Sequence, residues 1–288
     1  MPSSLLTTKH FAAQIEENIK RVESRDSDYI KDSNETNIHD IRTAVRRLDA
    51  SYKSLPKKLR HKNRISKYMA TCKRLFKLNS QIRDYDIIGE KLQKYSSESV
   101  YKNIADMLKK RRETKLDTAR KVALSLRDMR RPYIDENDIP TNKLEARFNK
   151  IVGRLVESIE LDLPVVLTNP DKIKELHELR KDCKKLRYLL ELIPHHDSNS
   201  NDKGVNDKDL QAMVTMLEDI QDILGSIHDN DTAISFLKQF SRRKKGVSHI
   251  LRDEISERAK KYEDLIQFCK RNLSDNTHNF LKQIALMG

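Results

Sequence analysis

Residues 37–52 read NIHDIRTAVRRLDASY, and residues 175–190 read ELHELRKDCKKLRYLL. Each runs His, acid, aliphatic, Arg, and after three more residues reaches two basic residues and a Leu. His39, Arg42, Arg46, Arg47 and Leu48 match His177, Arg180, Lys184, Lys185 and Leu186 at a constant offset of 138 residues. Further on, QIRDYD at 81–86 matches SIHDND at 226–231, now at an offset of 145. The offset grows because the second half carries the longer polar run PHHDSNSNDKGVND, 194–207, which reads as a loop. An ordered pair of matches with an insertion between them marks a tandem duplication of a four-helix unit, and duplicated units tend to pack pseudo-symmetrically.

Working outward, apolar residues recur every three or four positions, the signature of amphipathic helices. Phe11, Ile15, Ile19 and Val22 mark the first stripe; Ile41, Val45, Leu48, Tyr52 and Leu55 the second. The third runs from Ile65 through Met69, Cys72, Leu75 and Ile82 past Ile88 and Leu92, and the fourth from Ile104 to Leu126. RRPYIDENDIPTN, 130–142, has two prolines and no periodicity, so it reads as a linker. The division is then an N-terminal repeat over 1–129, a linker over 130–141 and a C-terminal repeat over 142–288. Asn142 with Glu145 has the pattern of a capping box, opening a fifth helix through Phe148, Val152, Leu155 and Ile159. Asn169, Pro170 and Asp171 have the pattern of the next helix start, with Asn169 as N-cap. Leu176 to Ile193 form the sixth stripe, two helices follow at about 209–240 and 246–273, and NFLKQIALMG at the end has room for a short one. The fold class is all-α.

Composition bounds the function. The 288 residues carry 57 Lys and Arg against 44 Asp and Glu, a net charge of +13 with a pI near 9.5, which points to an anionic partner. No G-x-G-x-x-G or G-x-x-x-x-G-K-[ST] occurs, so neither a dinucleotide fold nor a P-loop is indicated, and no cofactor is expected. Three scattered cysteines without C-x-x-C suit a reducing interior. Residues 1–25 lack the apolar core of a signal peptide and no apolar run is long enough to span a membrane. A cytoplasmic protein without membrane insertion is expected.

The repeated phrase carries chemistry. At about 100° per residue, His39, Arg42, Arg46 and Lys53 fall in a strip roughly 60° wide, flanking rather than opposing the core stripe. His177, Arg180, Lys184 and Arg187 repeat the geometry. Like charges at these spacings repel by a few tenths of a kcal/mol each, so a duplicated stripe of them suggests an anion that offsets the repulsion. Lys150 and Arg154, with Arg147, repeat the spacing and extend the candidate surface, although a solvated face explains them equally well; Arg111, Arg112 and Arg258 are weaker candidates. Asp84 and Asp229 are expected to orient Arg or His side chains. The adjacent His39–Asp40 pair also resembles metal-dependent phosphohydrolases, but the second copy is His-Glu and helical neighbours point about 100° apart, so no metal site is expected. No nucleophile–base pair stands out, and no enzyme activity is expected.

H-[DE]-[IL]-R-x-x-x-[RK]-[RK]-L, written twice, resembles the CHAD family of histidine-containing α-helical domains. So do LRYLLELI after the second copy, and NSQIRDYD and QDILGSIHDND on the following helices. The resemblance spans the chain and implies one domain of two pseudo-twofold-related four-helix bundles, with a basic channel at their junction binding inorganic polyphosphate, a long-chain polyanion. By position the channel would hold His39, Arg42, Arg46, Arg83, His177, Arg180, Lys184 and Arg187. Together with the residues read from the stripe, the candidate ligands are His39, Arg42, Arg46, Arg47, Lys53, Arg83, Arg112, Lys150, Arg154, His177, Arg180, Lys184, Arg187 and Arg258. The chain departs from the family in reading Asp49 where a further Arg is common, which would weaken the first half's grip. The E-x-E-x-K strand signature of the triphosphatase domain joined to some relatives is absent, so a stand-alone binder is expected, found at polyphosphate granules if that ligand is right. The competing reading is a helical RNA- or DNA-binding module, with nucleic acid as the polyanion; few aromatic residues accompany the basic stripes, which disfavours base stacking.

Overall fold

The computed structural model describes residues 6–194, 207–241 and 247–272. The loop expected over 194–207, apart from its first and last residues, and the short helix expected in the tail lie outside the described residues.

The chain folds into helices α1 (Thr8–Lys31), α2 (Glu35–Ser54), the single turn α3 (Lys57–Arg60), α4 (Asn63–Leu92), α5 (Ser99–Arg127), α6 (Thr141–Thr168), α7 (Ile173–Leu190), α8 (Asp207–Ser241) and α9 (Ser248–Asn272), with no strand among the described residues. Local chemistry sets several of these ends. Thr7 Oγ1 accepts from the His10 amide at 3.2 Å, and Asn34 Oδ1 accepts from Asn37 N at 2.9 Å, so both helices start on side-chain caps. Pro56 stops α2 because proline cannot donate to the helical ladder and restricts the residue before it.

Two starts differ from the sequence expectation. α6 opens at Thr141 behind Pro140 without a side-chain cap, which puts Asn142 inside the first turn and removes the expected capping box. α7 begins at Ile173, not beside Asn169; the Asn169 carboxamide oxygen instead accepts from Asp171 N at 2.9 Å, closing a turn that delays the helix. α6 also runs past Ile159 and through Pro164 to Thr168. Its last turn is held by burial of Val166, whose carbonyl accepts from the Tyr262 hydroxyl on α9 at 2.6 Å.

Packing follows the stripes. In the first half α1 packs on α2, α2 on α4, α4 on α5 and α5 back on α1. In the second half α6 packs on α7, α7 on α8 and α8 on α9. Across the halves α2 meets α7 and α4 meets α8, the four helices that carry the repeated phrases. One buried apolar cluster runs through helices of both halves, including Phe11, Tyr29, Ile41, Leu48, Met69, Phe148, Leu186 and Leu224. A second cluster of Ile88, Leu92, Ile104, Leu108, Phe236, Leu237, Val247 and Ile250 joins α4 and α5 to α8 and α9. Burying each such large side chain is worth about 1.5–3 kcal/mol. The segment between α5 and α6 is pinned at both ends: Arg131 reaches Glu16 on α1 at 3.2 Å and Asp138 takes Lys62 at 2.7 Å, while Ile139 is buried.

Candidate anion-binding site

Because α2, α4, α7 and α8 bring their basic faces to the junction, they enclose a cavity of about 680 Å³. α2 contributes His39, Arg42, Arg46, Asp49 and Lys53; α4 contributes Lys73, Phe76, Ser80, Arg83 and Asp84. α7 contributes His177, Arg180, Lys181, Lys184, Lys185 and Tyr188, and α8 contributes Gly225, His228 and Asp229. Ile151 and Leu155 of α6 form part of an apolar wall. Nine Lys and Arg therefore face three Asp.

Their pairing is uneven. Lys53 lies 2.6 Å and Lys73 3.1 Å from opposite oxygens of Asp49. Arg83 lies 3.3 Å from Glu35 and 3.9 Å from Glu90, Lys181 is 2.5 Å from Glu178, and Lys185 is 2.6 Å from Asp182. Among the described residues no carboxylate comes within ion-pair distance of Arg42, Arg46, Arg180 or Lys184, which are mutual neighbours. The Nε atoms of Arg42 and Arg180 are buried with no hydrogen-bond partner. The Arg46 and Arg42 guanidiniums lie 5.0 and 5.8 Å from the centre of the Phe76 ring, a cation–π floor that partly offsets their lost hydration.

Burial and mutual repulsion push these groups toward their neutral forms. Burial first, then Arg180, Arg46 and Arg42, bring Lys184 down to about 6. Burial, Arg180 and His177 bring His228 down to about 3, and burial with Arg46 brings Arg42 to about 10. Burial and neighbouring cations also lower His39 and His177, whose ring packs 4.9 Å from that of His228. Burial holds the Asp84 and Asp229 carboxyls above their usual range, with Arg42 and Arg180 respectively opposing it most. The site thus holds cations with no carboxylate partner together with Lys184 and His228, whose hold on a proton burial and neighbouring cations weaken.

Of the residues expected from sequence, His39, Arg42, Arg46, Lys53, Arg83, His177, Arg180 and Lys184 meet in this cavity. Six do not line it. Arg47 donates to Glu191 at 2.9 Å and Arg187 to Glu218 at 2.6 Å, both against the Tyr188 ring. Arg112 donates to Asp86 at 2.5 Å, and Arg258 donates to Asp231 and to the Pro170 carbonyl. Asp86 and Asp231, not Asp84 and Asp229, are thus the carboxylates that hold arginines by hydrogen bonds: two residues further on is about 200° around the helix, away from the cavity. Lys150 and Arg154 are exposed on α6, each one residue before a cavity-lining apolar side chain. Asp40 turns to Arg25, 3.4 Å away on α1, and is not among the lining residues, so it does not join His39 there.

Sequence reasoning missed Lys73, Lys181, Lys185 and His228. His228 stands in the second phrase where Arg83 stands in the first, so the repeat itself pointed to it. Lys73 lies on the face of α4 reached by counting back in turns from Arg83 through Ser80 and Phe76. A smaller cavity of about 370 Å³ beyond Asp229 offers a contrast. There Lys91 and Lys94 both reach the fully buried Glu254 at 3.2 Å and Lys261 reaches Glu257 at 3.0 Å, so its lysines are already neutralised.

An all-α protein whose packed helices enclose a cation-lined cavity is the class these features define. The chain belongs to the CHAD domain family, whose model matches residues 13–238. Among solved structures it is similar to the crystal structure of the CHAD domain from the plant Ricinus communis, with a TM-score of 0.59 and 15% identity, over 99% of this chain and 93% of that one. At that identity the likeness speaks for the fold. No curated protein matches the chain in sequence.

Proposed function

We propose that this protein binds inorganic polyphosphate in the cavity between α2, α4, α7 and α8, and binds it without hydrolysing it. The observation that carries the reading is the set of four adjacent cations without a carboxylate partner, where Arg47, Arg112, Arg187 and Arg258 among the described residues each have one. Removing charged groups from water is unfavourable unless they are paired, and here the missing partner is an anion. Polyphosphate fits because it needs charge and donors and no reading of base edges: Arg42, Arg46 and Arg180 can each present a two-pronged guanidinium to phosphate oxygens, and Lys184 a point charge. Membership in the CHAD family supports the same ligand. His39 and Asp40 facing different partners supports binding rather than metal-dependent hydrolysis.

The test is competition among polyphosphate, RNA and duplex DNA at ~150 mM salt, where surface charge attraction is largely screened. Polyphosphate should win by a wide margin and lose affinity on Arg46→Ala. Phosphate release from polyphosphate with Mg²⁺ or Mn²⁺ should stay at background, and release that vanishes on Asp40→Ala would revive the hydrolase reading. Equal binding of all three polymers would sink the polyphosphate assignment.

A further inference from the structure

At two positions one turn apart, the second half exchanges the charges of the first. Asp49 stands where the second half has Arg187, and Lys53 stands where it has Glu191. Each pair lies one turn apart on its helix, with Nζ of Lys53 2.6 Å from Asp49 and the Arg187 guanidinium 3.7 Å from Glu191. The ion pair is therefore kept and its polarity reversed. Reversal has a consequence for the cavity, because Asp49 lines it and takes two of its lysines, Lys53 and Lys73.

Following α2 against its antiparallel neighbour α4, the pairings come in order. Glu35 meets Arg83 at one end, Arg42 and Arg46 lie over Phe76 in the middle, and Asp49 with Lys53 meets Lys73 at the other end. The cations with no carboxylate partner are thus bracketed along this wall by cations that already have one. On α7 the same holds: Arg180 and Lys184 are unpaired while the adjacent Lys181 and Lys185 are taken by Glu178 and Asp182. An anion gains strongly from the four central groups. It gains much less from the rest, since contacting them requires displacing a carboxylate that stays nearby.

We propose that the cavity grips one short stretch of polyphosphate, about the reach of Arg42, Arg46, Arg180 and Lys184, and that Asp49 limits the stretch by holding Lys53 and Lys73. The inference rests on the polyphosphate reading and names the length of chain the site recognises. Phosphates beyond the central group lie outside the grip, so a long chain offers more places to bind rather than a stronger place. Asp49 is a specificity-determining residue, one that acts on length through the lysines it neutralises.

The test is the salt dependence of binding for triphosphate, a medium and a long polyphosphate, measured on the full chain by calorimetry. Each neutralised phosphate contributes a slope of roughly 0.7–0.9 in log affinity against log salt, so four free cations give about three to four for the medium and long chains alike. Affinity per chain should rise with length only in proportion to the number of positions available, and sedimentation should show several protein molecules on a long chain. Asp49→Asn keeps the side-chain shape and frees both lysines; it should steepen the slope for medium and long chains by up to two increments and leave that for triphosphate unchanged. A wild-type slope that climbs with chain length, or an Asp49→Asn protein indistinguishable from wild type on long chains, overturns the inference while leaving the polyphosphate assignment standing. Failure of every length to bind would instead remove that assignment, and the inference with it.

Discussion

At the scale of single residues, the cavity is a set of groups held away from their ordinary protonation. Lys184 titrates near 6 when folded, against an ordinary 10.5, so between those values the unfolded chain holds the extra proton and stability rises with pH. Lys184→Met should therefore be more heat-stable than wild type, with a lead greatest below pH ~6 that narrows toward pH ~10.5; thermal melts across that range check it. Bound polyphosphate would reverse the balance by favouring the charged form. Binding near pH 7 should take up about one proton, read from calorimetry in buffers of differing ionisation enthalpy, and Lys184→Met should abolish most of the uptake. Burial first, and then neighbouring cations, disfavour the charged forms of His39 and His177, and a bound anion would favour those forms. Arg46→Ala removes a charge-assisted contact worth about 1.5–3 kcal/mol, roughly ten- to hundredfold in affinity, and should leave the melting temperature unchanged or slightly raised. Lys109→Ala, on the exposed face of α5, is the control and should change neither.

At the scale of elements, the second repeated phrase separates support from binding. Asp84 and Asp229 face the cavity, while Asp86 and Asp231 turn outward to tie α4 to Arg112 of α5 and α8 to Arg258 of α9. Breaking a partly buried pair leaves a charge uncompensated, and fully buried pairs lose about 3–5 kcal/mol this way. Asp86→Ala and Asp231→Ala should lower the denaturation midpoint yet leave the salt slope of polyphosphate binding as it was, a combination that marks the two arginines as structural. The second apolar cluster is equally local in its effect. Leu237→Ala, at a fully buried position joining α8 to that cluster, should cost about 2–5 kcal/mol in a denaturant titration and leave affinity for polyphosphate within a few-fold.

At the scale of the molecule, four neighbouring cations without a carboxylate partner should make the free protein less stable than a polyphosphate complex. Polyphosphate at a hundred times its dissociation constant should add about 2.7 kcal/mol to stability, seen as a raised melting temperature that falls back as salt is added. Much of this was legible in the chain. Periodicity set the helices, because a 3.6-residue turn leaves its spacing on the apolar stripes, and the repeat made α7 the counterpart of α2 and α8 that of α4. The strip of His39, Arg42 and Arg46 beside the core face already pointed to a groove, since a residue's bearing around a helix is a matter of counting. What counting cannot supply is the partner across the gap. Arg46 and Arg47 are neighbours in sequence, yet one reaches the cavity over Phe76 and the other ends on Glu191, 144 positions away. Asp49 was visible as a departure from the repeat, but its hold on Lys73 exists only because α4 folds back along α2. The sequence by itself determined which faces are basic and where the helices run. Tertiary structure decided which of those charges remain unpaired, because an ion pair depends on distances of a few ångströms between segments that the chain brings together only on folding.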